Sequence, residues 1–410
     1  MREMKNSGFS WLGEIPKNWS MQRVKHGFTR KNEKAMTENP VILSLARTGV
    51  KVRDVSNNEG QIAESYFNYN PVEPGDLLLN PMDLYSGANC SVSNVSGVIS
   101  PAYINLKSKD DINPFFYDYY FKVQYWMMAF FSYGKGVSFD NRWTLNAETL
   151  MNYPIVALPY DEQCKIADYL DKKCSKIDAI IEKQQAVIEN LKAYKLSKIN
   201  ELIVEVEGQS IHLGYIANMK NGLNFNVAPN GKTLKFLGVG DFKDYFVLDR
   251  EDMFSDILID EEIDEDYMLK DGDIVFVRSN GSKDLVGRAV MVENIDFPLS
   301  YSGFCIRFRN IRTDILNDRY LLYFFRSPYF REQLKKYSQG SNINNINQVL
   351  LSQISITVPS IEIQKRAIDD VERLCYNLDK TILGKQALID KLIAYKKSLI
   401  YEVVTGKKEI

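Results

Sequence analysis

Two stretches of the chain have isoleucine and leucine at alternating spacings of three and four residues, which predicts long helices. The first runs from about residue 161 to 206 and contains no proline or glycine. Polar residues interrupt both patterns at matching places, and such interrupted heptads are typical of helices that choose a partner and a register. We therefore expect the two helices to pair. The predicted seam consists of Ile177, Ile181, Ile188, Leu191, Leu202, Leu378, Ile382, Ile389, Leu392 and Leu399.

The helical pattern is a repeat. Residues 185–195 return as residues 386–396, an offset of 201 positions in a chain of 410. The same offset relates Gln163 to Gln364 and Cys174 to Cys375. A repeat of half the chain length indicates two equivalent modules in one polypeptide, which suits a target with two halves.

A region of different texture precedes each helix. It is rich in glycine, asparagine and aromatic residues, and it contains short apolar runs that predict strands. Pro159 and Pro359 each separate such a strand from the following helix. The predicted fold class is α+β, with two mixed α/β globular modules and two long helices in a pseudo-two-fold internal repeat. The expected boundaries are 1–157, 158–207, 208–357 and 358–410.

Charge is unevenly distributed, although the net charge is only −2. Residues 1–56 have 11 Lys and Arg against 5 Asp and Glu, and residues 274–340 have 11 against 6. Residues 241–273 have 14 acidic side chains against 3 basic ones. Clustered basic stretches are what a phosphate-contacting surface requires. The longest apolar run, 125–131, is too short to cross a bilayer, and without an export signal we expect a cytoplasmic protein with reduced cysteines.

Catalytic chemistry is not evident. Residues 236–240 form a Phe-x-Gly-x-Gly sequence like the loop that approaches S-adenosylmethionine in many adenine methyltransferases, but the Pro-Pro-Tyr/Phe motif that accompanies it is absent. His26 and His212 are the only histidines, and the five cysteines are scattered, so no metal cluster is expected. We predict no catalytic residue and no metal site, and we interpret the acidic stretch as a solvated face.

Polar loops with glycine suit nucleic-acid recognition better. Asn and Gln can contact adenine through two hydrogen bonds, Arg can do so with guanine, and Lys and Ser contact phosphate. Such loops occur at corresponding points of both modules. The predicted DNA contacts are Arg47, Tyr85, Ser86, Lys135, Ser138 and Arg142 in the first module, and Arg278, Asn280, Ser282, Lys283, Tyr301, Ser341, Asn342, Asn344 and Asn345 in the second.

The chain resembles the specificity subunits of type I restriction–modification systems. The resemblance rests on the opening segment from Trp11 to Trp19, on Leu158-Pro159 and Val358-Pro359, and on the repeated Ala-Tyr-Lys helices. It covers nearly the whole chain, and the helical repeats are its specific part.

The resemblance implies two target-recognition domains, each reading one half of a split, asymmetric DNA sequence. It also implies that the helices form an antiparallel coiled coil that sets the gap between the half-sites and docks two methylation subunits. These subunits bring S-adenosylmethionine and methylate adenine, whereas restriction subunits that use ATP and Mg²⁺ join the same complex. No cofactor is expected on this chain, and no disulfide between Cys174 and Cys375, which would lie near opposite ends of the pair.

Two alternatives remain at this stage. The chain could be a fragment or relative of a fused restriction–methylation enzyme, or a coiled-coil adaptor that binds only proteins. Methylation by the purified chain alone would support the first. Binding to duplex DNA that weakens with salt would exclude the second.

Overall fold

The computed structural model of the chain describes all residues except 1, 55–62, 64, 88, 137, 139–142, 226–230, 261, 283 and 338–344. Within the described residues, no helix is long and apolar enough to cross a membrane. The helices are α1 (Val24–Gly27), α2 (Pro114–Trp126), α3 (Ala147–Met151), α4 (Tyr160–Ile203), α5 (Asp318–Phe325), α6 (Pro328–Tyr337), α7 (Gln348–Gln353) and α8 (Ile361–Val404).

The strands are short and fall in the two regions that precede the long helices. In the first region they are β1 (Met4–Asn6), β2 (Glu14–Pro16), β3 (Ser20–Arg23), β4 (Phe28–Lys31), β5 (Leu43–Ala46), β6 (Gly49–Val52), β7 (Asn70–Val72), β8 (Leu77–Leu79), β9 (Cys90–Val92), β10 (Gly97–Ile99), β11 (Ile104–Ser108) and β12 (Pro154–Ala157). In the second they are β13 (Gln209–His212), β14 (Ala217–Asn221), β15 (Lys232–Leu237), β16 (Val247–Leu248), β17 (Ser255–Ile259), β18 (Ile274–Val277), β19 (Ala289–Val292), β20 (Leu299–Tyr301), β21 (Cys305–Asn310) and β22 (Ser355–Val358).

The chain divides into two compact units. The outer unit contains residues 1–183 and 387–410, and the inner unit contains residues 184–386. Each unit therefore holds one globular module together with part of α4 and part of α8. We call the modules the N-terminal module (residues 20–157) and the C-terminal module (residues 208–357).

The N-terminal module is built on a four-stranded sheet in the order β4-β11-β8-β9. Helix α2 supplies aromatic rings to the core beside this sheet, where Phe116, Tyr117 and Tyr120 are fully buried. Asn113 begins α2 by accepting hydrogen bonds from two backbone amides of its first turn, and Pro114 fits the first helical position because its missing N–H needs no partner there.

The C-terminal module contains a five-stranded sheet, β14-β21-β18-β19-β16, and a three-stranded sheet, β17-β15-β20. One apolar core lies among the five-stranded sheet, α5, α6 and the parts of α4 and α8 in the inner unit. A second core includes Val275 and Val290 from the five-stranded sheet and Leu237 and Leu299 from the three-stranded sheet. Side chains alternate between the two faces of a strand, which is why β18 contributes to both cores.

Helices α4 and α8 pair in antiparallel fashion in each unit. In the outer unit, the ammonium of Lys396 lies 2.6 Å from the carboxylate of Asp178. In the inner unit, Lys195 lies 2.7 Å from Asp379, and Lys385 donates to Gln184 at 2.9 Å. The predicted coiled coil is therefore present and antiparallel, and all ten predicted seam residues are buried or half-buried.

Each long helix has 44 residues, or about 66 Å at 1.5 Å per residue. The first helix was expected to reach residue 206, but it ends at Ile203. The hydroxyl of Tyr320 donates to the carbonyl oxygen of Ile203, and so satisfies one of the backbone acceptors that a helix leaves open at its end. Aromatic capping from a distant part of the chain has no local sequence signal.

Candidate nucleic-acid interface

The two modules share one sheet topology. Strand order β4-β11-β8-β9 in the N-terminal module corresponds to β14-β21-β18-β19 in the C-terminal module. The loop of residues 80–89 joins β8 to β9, and the loop of residues 278–288 joins β18 to β19. These two loops are therefore equivalent, and both contain predicted DNA contacts.

A buried aspartate anchors the strand before each of these loops. Asp76 Oδ2 accepts hydrogen bonds from the backbone of Glu73 and from Lys31, and Asp273 accepts from the backbone of Lys270 and from Arg309. The preceding glycines have φ values of +93° at Gly75 and +85° at Gly272, and residues with a side chain rarely adopt this backbone conformation. Residues 75–76 and 272–273, each Gly-Asp, therefore form matching tight turns.

The basic partners of these aspartates remain charged. Burial favours the neutral form of Lys31, but its hydrogen bonds to Asp76 and Glu73 prevail and raise its pKa above the ordinary value. The hydrogen bond to Asp273 raises the pKa of Arg309 in the same way. Each turn is thus held by a charge-assisted bond, which fixes the base of the loop that follows.

In the N-terminal module, two loops meet at the end of β8. The amide of Leu145 donates to the carbonyl of Pro81 at 2.9 Å, and the amide of Leu84 donates to that of Trp143 at 3.0 Å. This contact brings the loop of Tyr85 and Ser86 to the segment that follows Lys135 and Ser138. Tyr85 is 62% exposed, and Ser86 and Lys135 are exposed. Arg47 is exposed in the turn between β5 and β6.

The equivalent loops meet in the C-terminal module. The amide of Ile346 donates to the carbonyl of Arg278 at 2.9 Å, and Asn345 forms a bridge with Ser279. Ile346 is the residue 201 positions after Leu145, so equivalent residues donate the hydrogen bond between the loops in the two modules. Asn280 accepts from the amide of Ser282, which orders the loop tip. Predicted residues Arg278, Asn280, Ser282 and Asn345 thus lie around one contact between two loops.

The structure corrects one predicted contact. Tyr301 lies in β20, is 0% exposed, and donates its hydroxyl to the carbonyl of Lys220 at 3.2 Å. Its ring belongs to the core between the sheets, so it presents no surface to DNA. The sequence did not single out Phe304 as a surface residue beside Arg278. Phe304 is 57% exposed, and its carbonyl accepts a hydrogen bond from the amide of Arg278. The Ser-Gly before Phe304 marks a turn after β20, and that was its available signal.

Five predicted contacts lie outside the residues that the structure describes, and these are Arg142, Lys283, Ser341, Asn342 and Asn344.

The glycine sequence at 236–240 does not leave an open loop. Strand β15 ends at Leu237, and the carboxylate of Asp241 accepts a hydrogen bond from the amide of Gly238 at 2.8 Å. The amide of Gly238 is therefore already bonded to the side chain of Asp241, whereas a cofactor loop would present free amides. Within the described part of the chain, no group of three or more His, Cys, Asp and Glu could hold a metal ion. Cys174 and Cys375 are both free thiols.

The comparison with protein families concerns the inner unit. Residues 209–387 match the family described as "Type I restriction modification DNA specificity domain". This part of the chain is similar to that family. The resemblance to type I specificity subunits is therefore confirmed.

Curated type I specificity subunits are similar in sequence. The chain is 26% identical to the StySPI subunit of Salmonella potsdam over 144 residues, and 26% identical to the EcoKI subunit of Escherichia coli strain K12 over 145 residues. These matches cover 35% of this chain and 30% and 31% of the relatives, so the chain matches about a third of their length. The MjaVIII subunit of Methanocaldococcus jannaschii is 24% identical over 368 residues, which are 82% of this chain and 80% of the relative.

Solved specificity-subunit structures share the fold. A chain from a study of complex assembly and conformational transition of the type I R-M system matches with a TM-score of 0.72 and 14% identity, covering 96% of this chain and 99% of that one. The HsdS subunit from Thermoanaerobacter tengcongensis matches with a TM-score of 0.52 and 13% identity, covering 96% and 98%. At these identities the likeness shows the fold, which is the α+β architecture of the type I specificity subunits.

Proposed function

We propose that this chain is the DNA sequence-specificity subunit of a type I restriction–modification complex, and that each module recognises one half of a bipartite, asymmetric DNA site. The observation that carries the proposal is the shared strand order of the two modules together with their different loops. Equivalent loops place Tyr85 and Ser86 in one module where the other has Arg278 and Asn280. Different side chains on one scaffold suit two different half-sites.

The paired helices set the distance between the half-sites and dock two methylation subunits, through which restriction subunits join. Support comes from the outer surface of the helices. Val187 and Leu388 are equivalent by the repeat, as are Tyr194 and Tyr395, and all four are exposed. Packing of the seam does not require exposed residues to repeat. Two copies of one partner would require it, because each copy needs the same surface.

The chemistry belongs to the partners. The methylation subunits bring S-adenosylmethionine and modify adenine, and the restriction subunits use ATP and Mg²⁺, while this chain binds no cofactor and acts without catalytic residues. The absence of a Pro-Pro-Tyr/Phe motif from the sequence and the closed glycine loop at 236–240 favour this division over a fused enzyme.

Mapping of methylated adenines tests the proposal. Cells that express a cognate methylation subunit should show N6-methyladenine at one two-part sequence when this chain is present and none there when it is absent. A methylated motif that is unchanged by removing the chain would refute the proposal. Methylation by the purified chain alone would instead establish the enzyme alternative.

A further inference from the structure

Several cations surround the base of the loop of residues 278–288. The carbonyl of Arg288 accepts from the amide of Val277 at 2.9 Å, so Arg288 closes the loop that Arg278 opens. The guanidinium of Arg331 donates to the carbonyl of Val286, and that of Arg326 donates to the carbonyl of Ala289 at 3.3 Å. Two guanidinium groups therefore donate to the backbone of residues 286–289, the segment that also contains Arg288.

The segment of residues 243–246 holds two of these groups side by side. Arg288 donates to the carbonyl of Lys243 and to the carboxylate of Asp244 at 3.2 Å. Arg326 donates to the carbonyl of Tyr245 at 3.3 Å, and its guanidinium lies 4.0 Å from the centre of the Phe246 ring. Both side chains are thereby fixed before any ligand arrives, which lowers the entropy cost of binding.

Positive charge at this place is poorly balanced. The hydrogen bonds that Arg326 makes to Ala289 and Tyr245 go to neutral carbonyls. The side chain of Asp244 is 100% exposed, so its pairing with Arg288 is weak. Burial, and after it the neighbouring Arg288, lowers the pKa of Arg326 to about 10. An anion beside these groups would relieve their mutual repulsion.

We propose that Arg288 and Arg326 form a phosphate-binding cluster that contacts the DNA backbone beside the bases reached by the loop of residues 278–288. This inference rests on the proposed function and adds a phosphate contact to it. A planar guanidinium matches the geometry of a phosphate through two parallel hydrogen bonds. Contacts to the backbone fix the position of a protein on the duplex while neighbouring loops read the bases.

The contact is particular to the C-terminal module. The equivalent loop of the N-terminal module, residues 80–89, contains no lysine or arginine in its sequence. The two half-sites should therefore differ in how strongly their recognition depends on salt.

Binding of the full-length chain to a fluorescent duplex of random sequence, titrated with salt, tests the cluster. The plot of log K against log salt has a negative slope, and replacing one phosphate-contacting arginine makes this slope shallower by about 0.9. We expect this decrease for R288Q and for R326Q. The control is R312Q, because Arg312 is a surface arginine of the same module that is already paired with Asp314.

A second variant removes a negative charge instead of a positive one, at a position where misfolding is not expected. The Asp244 side chain is fully exposed, so D244N leaves the fold intact and removes a negative charge beside Arg288. It should tighten DNA binding by about two- to fivefold. If the wild type binds duplex DNA but D244N and R288Q leave affinity and slope unchanged, the phosphate-binding cluster is refuted and the proposed function stands. A wild type that does not bind DNA would overturn both.

Discussion

One buried glutamine connects each module to the long helix that follows it. Gln163 accepts from the amide of Asn113 and donates to the carbonyls of Asp111 and Leu158. Gln364, 201 positions later, accepts from the amide of Asn317 and donates to the carbonyls of Ile315 and Pro359. Both side chains are almost completely buried. Each glutamine therefore satisfies backbone groups at the start of a module helix, and this explains why a polar residue repeats inside the core.

Replacing either glutamine with leucine should destabilise its own unit. Q364L leaves the amide of Asn317 and two carbonyls without the partner that Gln364 provides, at a cost of about 2–4 kcal/mol. Urea unfolding should show a similar loss for Q163L. The same change at Gln185, which is exposed on α4, should have little effect. Equal stability of Q364L and Q185L would contradict this role.

At the scale of the elements, the coiled coil is stabilised by two equivalent ion pairs. The repeat offset maps Lys195–Asp379 onto Lys396–Asp178, with each lysine on one helix and each aspartate on the other. Their partly buried lysines occupy seam positions that an ordinary heptad gives to apolar residues. The pairs thus satisfy charges that only one alignment of the helices brings together.

A double-mutant cycle measures this contribution. For K195A and D379A we expect a coupling of about 0.5–1 kcal/mol, because the lysine is mostly buried while the aspartate is half-exposed. The K396A and D178A cycle should give a similar value. The exposed pair of Lys192 and Glu189 lies within one helix and serves as the control, with coupling near zero. Zero coupling in both interhelical cycles would show that the apolar seam alone aligns the helices.

At the scale of the whole molecule, each module begins and ends on adjacent strands. Strand β3 pairs with β12, and β13 pairs with β22, so that Gln209 lies opposite Val358. The chain therefore leaves α4 and returns to α8 at neighbouring points. A module with such ends can be exchanged without changing the spacing of the helices.

Exchange of residues 209–357 for the corresponding module of another type I specificity subunit should change one half-site only. The other half-site and the gap between them should stay, because the N-terminal module and both helices are untouched. Methylated-adenine mapping in cells with the chimaera measures all three. The reciprocal exchange of the N-terminal module is the control. A change in both half-sites would show that the modules do not act independently.

Local patterns predicted the long helices, their seam and the strands before each proline, because helix and strand periodicities are short-range properties. The repeat predicted that two modules share an architecture. Positions that depend on tertiary contacts were beyond such reasoning. Tyr301 resembles a loop residue in sequence, yet β20 takes it into the core, whereas Phe304 three residues later is exposed. Arg326 lies at the end of an apolar helix and meets Phe246 only after folding.

The contact between Lys385 and Gln184 has a consequence for the history of the chain. These residues are equivalent by the repeat, so in an ancestor with two identical halves each would have met its own copy. Two lysines there would repel, and two glutamines would pair as well between separate molecules as within one. Divergence to one of each favours the union of unlike halves. A single substitution at the midpoint thus stabilises the pairing of two unlike halves in one chain more than the pairing of two identical half-length chains.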